Sequence, residues 1–412
     1  MPSLNTQIFL GVIAGAVIGA ILIQLGNASP VHGGVIYAST LVANLFVDLL
    51  KMVLIPLVFS TIVVGIANLA SDQKMHRVWT TTLVFFFITV SLAMMLALLA
   101  MNILRPGDGL HLSMFQDAMN NFDQKKMTSG EFFTQFLHSL FQNPFSALAK
   151  GDVLAVVIFA IFLGIALVIG GERYRNILGL FQEFQDLMMR IIGWVMYVAP
   201  FGICALIIKL VATQNADLLT TLIKFIVIVI ALTLIHGAIV LPLILYVVTG
   251  KTPLWFWRGA REALITAFAT SSSSATLPVT LRCTEENLKV RKDITGFVVP
   301  LGATVNMDGT ALYEAAAALF IANLAGIDLS LGEQLIVFCT AMIAAIGAPG
   351  IPSAGMVTMV LVLQSVGLPV EAIAILLPID RILDTMRTTV NVEGDMIGSL
   401  VVQELVDRKT AV

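Results

Sequence analysis

The chain has 412 residues, 58% of them hydrophobic and 12% charged, with a formal net charge of −3 and a mean hydropathy of +0.95. That balance excludes a set of soluble domains of the same total length and gives no basic surface for nucleic acid. It defines an all-α polytopic membrane protein, because apolar runs long enough to cross a bilayer recur along the sequence.

In chain order the clearest predicted spans cover roughly 6–25, 41–69, 79–104, 145–170, 188–212 and 222–249. The first run lacks a basic leader and a small-residue cleavage site, so it reads as a membrane helix rather than a signal peptide. The stretch 105–144 is the one long polar insert and reads as an external loop with short helical pieces. With the amino terminus in the cytoplasm, inside loops hold 13 Lys and Arg and outside loops hold 5. That bias places both termini inside. Cys204, Cys283 and Cys339 are odd in number and read as free thiols. The five histidines are scattered, with no zinc-like spacing, and read as packing or surface residues.

The second half changes character. "TSSSSATLP" (270–278), "TVNMDGT" (304–310), "GAPGIPSAG" (347–355) and "TVNVEGD" (389–395) put polar or helix-breaking residues at membrane depth. Gly347, Pro349, Gly350, Pro352 and Gly355 would break any spanning helix. Freed backbone groups cannot face lipid, so this segment is expected to be a re-entrant hairpin tip inside the protein. The serines Ser271 to Ser274 suit a second tip of the same kind. The two Asn motifs agree at four of six positions, Thr304–Gly309 against Thr389–Gly394. Repeats with broken helices are the sequence sign of a secondary transporter.

A helix over 380–395 would gather its charges on one stripe. Relative to Asp380, Asp384 lies at roughly +40°, Arg387 at −20°, Asn391 at +20° and Asp395 at +60°. Each such charge near a bilayer centre costs about 2.5–3.5 kcal/mol, or on the order of 10 kcal/mol for the four charged members if unpaired. They must face the interior and find partners, with Arg387 pairing to Asp384 or Asp380. Three carboxylates against one arginine, with Asp308 from the first repeat, leave excess negative charge that bound cations would neutralise. Arg387 is then a planar donor for an external carboxylate. The expected ligands are a small carboxylate anion and hard monovalent cations.

"SSSSATLP", "PLGATVNMDGTALY", "GAPGIPSAG" and "DRILDTMRTTVNVEGD", with "NPFSALAKGDVL" and "VAPFGICALI" upstream, resemble the glutamate transporter family, the dicarboxylate/amino acid:cation symporters. The resemblance implies eight membrane helices plus two re-entrant helical hairpins in inverted repeats, a homotrimer, and an elevator mechanism. It divides the chain into scaffold spans 1 and 2 (1–78), span 3 of the transport domain (79–104), the external insert (105–144), scaffold spans 4 and 5 (145–220) and the rest of the transport domain (221–412). The second hairpin would be the gate.

By the same resemblance Arg387 would hold the substrate side-chain carboxylate with Thr310, and Asp384 the α-ammonium. Asn391, Ser271 and Ser273 would bind the α-carboxylate, with Ile351, Gly355 and Thr388 completing the substrate site. Asp395 would ligate sodium with carbonyls of Gly302, Asn306 and Asn391. Carbonyls of Thr304, Ala345, Ile346 and Ala348 would hold a second sodium, and Asp308, Asn306 and Thr89 a third. Sodium is thus the coupling ion, and no cofactor or nucleic-acid partner is implied.

This sequence departs from the family at two places. The extra arginine that relatives place at the position of Ser271 or Thr385 is missing, and Arg381 stands one turn before Thr385. Glu314 stands where some relatives have glutamine and would carry a co-transported proton. The reading is a sodium-coupled aspartate or glutamate symporter of a cell (inner or plasma) membrane. A C4-dicarboxylate or neutral amino acid symporter of the same fold is the alternative. An intramembrane protease fits poorly, because no Ser and His pair or Gly-x-Gly-Asp string lies at depth.

Overall fold

The computed structural model describes residues 4–26, 29–68, 76–110, 141–150, 153–213, 216–346, 348, 350 and 353–410. Among these residues every regular element is helical. The external insert therefore lies almost wholly outside the described residues, as does Ile351.

The first half supplies α1 (Leu4–Leu25), α2 (Pro30–Asn68), α3 (His76–Leu104), α4 (Pro144–Lys150), α5 (Val153–Gly170) and α6 (Arg175–Thr213). Helices α1 and α2 both pack along α6, and α5 packs on α2. Helix α2 starts eleven residues before the expected span because Pro30 opens it. A proline at the first helical position loses no hydrogen bond the helix would make. The predicted span 145–170 is two helices, α4 and α5, and 188–212 is only the later part of α6. The segment Ile158–Val195, which begins in α5, and the segment Tyr197–Lys209 of α6 meet at a bend of 48°. Pro200 lies within α6 and removes the bond to the carbonyl four residues back, which is where the bend falls.

Among the described residues three continuous stretches are long and apolar enough to cross a membrane, namely Thr6–Leu25, Arg77–Leu104 and Leu218–Thr249, or up to four if the bent pair counts as one span. The third runs through α7 (Ala216–Ile235), one π-helical turn over His236–Val240, and α8 (Leu241–Thr249).

The second half builds both hairpins. Helix α9 (Pro253–Thr270) is capped by Thr252, whose side chain accepts from the Trp255 N–H, and α10 (Ser273–Arg282) by Ser272, which accepts from the Ala275 N–H. Between them Ser271 adopts a left-handed φ of 51°, so the chain reverses in two residues. Helix α11 (Lys292–Val305) follows, then a break at Asn306 and Met307, then α12 (Asp308–Leu324). Helices α13 (Leu331–Ile346) and α14 (Ala354–Ser365) form the second hairpin, with Ser353 at φ 60° before α14. Helix α15 (Ile373–Thr410) ends the described chain. At about 1.5 Å per residue no hairpin limb exceeds about 27 Å, short of the roughly 30 Å hydrocarbon core.

The two repeats differ in one respect. The first Asn motif interrupts its helix, whereas Asn391–Gly394 lies inside unbroken α15. Helix α12 is buried at every residue but Asn323. It packs against α3 and α15, and α15 also packs on α9, α11 and α8. The polar stripe of α15 thus sits where both hairpins and α12 converge.

Close helix approach in the first half depends on small residues. A Cβ on Gly11 would lie 2.5 Å from the Pro200 carbonyl oxygen, one on Gly15 2.7 Å from that of Cys204, and one on Gly19 2.7 Å from Cβ of Val211. In lipid such contacts replace the hydrophobic effect as the source of helix association. Gly11→Ala and Gly15→Ala should each destabilise the α1–α6 contact by about 1–3 kcal/mol. A thermal unfolding scan in detergent checks this, and unchanged midpoints in both variants would refute the packing.

Candidate functional site

The charges of α15 are satisfied first by one another. Arg387 Nη2 donates to Asp380 Oδ1 at 2.7 Å and to Asp384 Oδ1 at 2.8 Å. Its guanidinium carbon lies 4.1 Å from the centroid of the Tyr313 ring, a cation–π contact strengthened by burial. Both pairings expected for Arg387 are therefore made together. Asp384 does more. Its Oδ2 accepts from the Ser353 backbone N–H at 2.8 Å, tying the second hairpin to α15, and lies 3.5 Å from Arg381 Nη1. Arg381 thus stands beside Asp384.

Arg387 is 1% exposed, yet its Nε and Nη1 have no hydrogen-bond partner among the described residues. Leaving a buried charged donor unmatched costs more than a neutral one, so two such atoms on one guanidinium mark a place built for an acceptor. Gly355 borders them. A Cβ there would lie 3.1 Å from Thr310 Cγ2 and 3.5 Å from Arg387 Nη1, so the missing side chain keeps the approach open. Thr310 Oγ1 in turn accepts from Asn391 Nδ2 at 3.3 Å, and Asn391 Oδ1 accepts from the Gly309 N–H at 2.8 Å. That amide is one of the N–H groups at the start of α12 that no carbonyl of the helix itself can satisfy, at the positive end of the helix. Thr388 is buried on the same helix as Arg387.

The hairpin tips touch each other. The Gly350 carbonyl accepts from Ser272 Oγ at 2.6 Å and from the Ser274 N–H at 3.0 Å. A Cβ on Gly350 would lie 2.6 Å from Ser274 Oγ and 2.8 Å from the Ala303 carbonyl oxygen, so only glycine fits. Ser272 and Ser274 make this contact. Ser271 and Ser273, which the resemblance assigns to substrate, are buried beside it, and Ser271 Oγ has no partner among the described residues.

Behind this region lie the oxygen groups assigned to cations. Asn306 Nδ2 donates to Asp395 Oδ1 at 2.9 Å and to the Asn391 carbonyl at 3.3 Å. Gly302 abuts Asp395, since a Cβ there would lie 2.2 Å from Asp395 Oδ1. Asn306 Oδ1 has no partner among the described residues. The break after Val305 also leaves carbonyls at the negative end of α11. Thr89 Oγ1 donates to Asp308 Oδ1 at 3.0 Å, joining span 3 to the first motif. Of the set assigned to another sodium, Thr304 Oγ1 bonds back to the Leu301 carbonyl, the Ala345 carbonyl accepts from the Ala348 N–H, and Ile346 closes α13.

Four neighbours escaped the reading of the sequence. His236 lies against Asp308, with Nε2 2.9 Å from Oδ2. Tyr313 underlies Arg387. Thr358 donates to Glu314 Oε1, while the other carboxyl oxygen, Oε2, has no partner among the described residues. Trp257 Nε1 donates to Glu393 Oε1 at 2.9 Å, which ties the first hairpin to α15 and satisfies an α15 acid that lies off the stripe. None had a local signal, because a lone His, Tyr, Thr or Trp in an apolar run reads as packing.

Two helical hairpins, one interrupted helix and a buried charged stripe are features of membrane transporters with broken helices. The chain belongs to the Sodium:dicarboxylate symporter family, whose model matches residues 4–405. It is 35% identical to excitatory amino acid transporter 2 of Homo sapiens over 98% of this chain and 79% of that protein. An excitatory amino acid transporter of Caenorhabditis elegans is 35% identical, over 95% of this chain and 85% of its own length. Excitatory amino acid transporter 3 of Homo sapiens is 33% identical, over 88% and 78%.

Thr358→Val removes the hydroxyl from Glu314 and leaves a buried carboxyl with no partner, at a cost of about 1–3 kcal/mol. Thr358→Ser keeps the donor and should unfold close to the parent. Thermal midpoints of the two variants check this, and equal losses would mean that methyl packing, not the hydrogen bond, matters there.

Proposed function

We propose that this protein is a sodium-coupled symporter of acidic amino acids, L-aspartate or L-glutamate, in a cell membrane. The observation that carries the reading is the split among buried polar atoms without partners. The donors Arg387 Nε and Nη1 lie beside Gly355 and Thr310, whereas the acceptor Asn306 Oδ1 belongs to the side chain that bonds Asp395 and the Asn391 carbonyl. Donors suit a carboxylate and oxygen acceptors suit alkali cations.

In this reading the substrate carboxylate takes the free edge of Arg387, with Tyr313 below and Thr310 beside it. Its ammonium meets Asp384, and its α-carboxylate lies near Asn391 and the serines of the first tip. The amine is what favours an amino acid over a C4-dicarboxylate, since Asp384 would otherwise face a second anion. Occupation by the ammonium competes with the Ser353 N–H for Asp384, which couples binding to the position of the second hairpin. Sodium ions enter among Asp395, Gly302, Asn306 and Asn391, between α13 and Thr304, and at Asp308 with Thr89. Glu314 carries a proton, and its bond to Thr358 places it against the gating hairpin.

The likeness to the family supports a homotrimer with eight spanning helices. In it α1, α2, α5 and α6 form the scaffold, and α3 with everything from α7 onward forms the moving domain. The lysine and arginine bias supports both termini in the cytoplasm.

Uptake of labelled aspartate, glutamate and succinate into liposomes, with sodium replaced by choline, is the direct test. Sodium-indifferent uptake would overturn the reading. Arg387→Cys should lower acidic amino acid uptake by roughly 10–150-fold, the loss of one charge-assisted hydrogen bond of about 1.5–3 kcal/mol, and shift preference toward neutral amino acids. Undiminished aspartate uptake would remove Arg387 from its role. Glu314→Gln should abolish substrate-driven acidification of the vesicle interior while sodium dependence persists. Unchanged acidification would show that the proton travels elsewhere.

A further inference from the structure

Helix α7 passes into a π-helical turn at His236. Such turns interrupt the i→i−4 pattern at some cost and recur at functional positions. Gly237 makes the turn possible at close range, since a Cβ there would lie 2.8 Å from Val390 Cγ2 and 3.1 Å from Glu393 Oε2. His236 is 0% exposed and reaches Asp308, itself 0% exposed, with Nε2 2.9 Å from Oδ2. An ionised carboxylate has no hydrogen to give, so Nε2 is the donor. Nδ1 has no hydrogen-bond partner among the described residues.

Asp308 is thereby fixed at both oxygens, Oδ2 by His236 and Oδ1 by the Thr89 hydroxyl at 3.0 Å. We propose that His236 is a positioning residue for sodium coupling. It pins Asp308 Oδ2 so that the Oδ1 edge, with Thr89, is presented to a cation. This rests on the sodium-symport reading above and deepens it, because it adds a partner to a proposed cation site from a helix that contributes none of the site residues named there. A carboxylate with one oxygen engaged elsewhere cannot rotate away when the cation leaves, so the site keeps its shape between loading events. Outer-shell partners of this kind commonly change metal affinity 10–100-fold when removed.

The test is a sodium titration of the purified full-length protein, followed both by intrinsic tryptophan fluorescence and by binding of labelled L-aspartate. His236→Ala should raise the sodium half-saturation about tenfold or more, with aspartate affinity at saturating sodium within about twofold of the parent. His236→Gln, whose amide nitrogen reaches as Nε2 does, should restore most of the sodium response. Thermal unfolding of each variant separates loss of fold from loss of positioning, and a His236→Gln protein with parental stability keeps the test available if His236→Ala does not fold. The inference is overturned if His236→Ala folds and titrates as the parent, binds sodium more tightly, or loses sodium and saturated aspartate affinity equally. It is also overturned if His236→Gln folds but responds no better than His236→Ala, or, where His236→Ala does not fold, if His236→Gln has parental stability and a sodium half-saturation raised tenfold. A parent protein whose aspartate binding ignores replacement of sodium by choline would instead refute the symport reading.

Discussion

Arg387, buried over Tyr313 and shared by Asp380 and Asp384, is the contact on which the rest of the structure depends. A guanidinium cannot shed its proton at any accessible pH, so it must be solvated by the protein itself. Two carboxylates and an aromatic face do this on one side only. Everything nearby is arranged around the other side: glycines 309 and 355 let backbone and hairpin approach, and α12 supplies an amide to Asn391. Breaking such a buried set by removing one partner is far more damaging than never having built it.

Electrostatic surplus explains the second layer. Asp308, Glu393 and Asp395 exceed what Arg387 can neutralise, and the protein meets each with a neutral donor: Thr89 and His236, Trp257, and Asn306 respectively. Neutral donors lower the cost of burial without cancelling the charge. At Asp308 and Asp395 that would suit the proposed sodium sites, where a fixed arginine or lysine would hold the carboxylate permanently.

The stripe 380–395 was legible in the sequence because helical periodicity alone gathers its charges; Arg387 was expected to pair with Asp384 or Asp380, and the fold makes both bonds. The hairpins were legible because prolines and glycines cannot lie bare in lipid. Registers within tips were not. Which serines touch Gly350 depends on the left-handed turn at Ser271, which no propensity of serine specifies. The interruption at Asn306 and the continuity at Asn391 come from nearly the same hexapeptide, so tertiary packing and not local sequence decides between them. His236 was read as packing because a single histidine in a run of valines, isoleucines and leucines carries no periodic signal, and the π turn it begins leaves none either. The early start of α2 and the bend of α6 trace to Pro30 and Pro200, residues whose effects were read in the tips but not in the plain spans.

The three cysteines are all unpaired, and they fall one each on α6, just after α10 and on α13. The molecule thus carries a native reporter in the proposed scaffold, one at the foot of the first hairpin and one on the second. Cys283 is the buried member of the set, so a thiol-reactive spin label or fluorophore has Cys204 and Cys339 as its accessible targets. Any displacement of the proposed moving domain against that scaffold would be measurable as a change in spacing within the unaltered polypeptide.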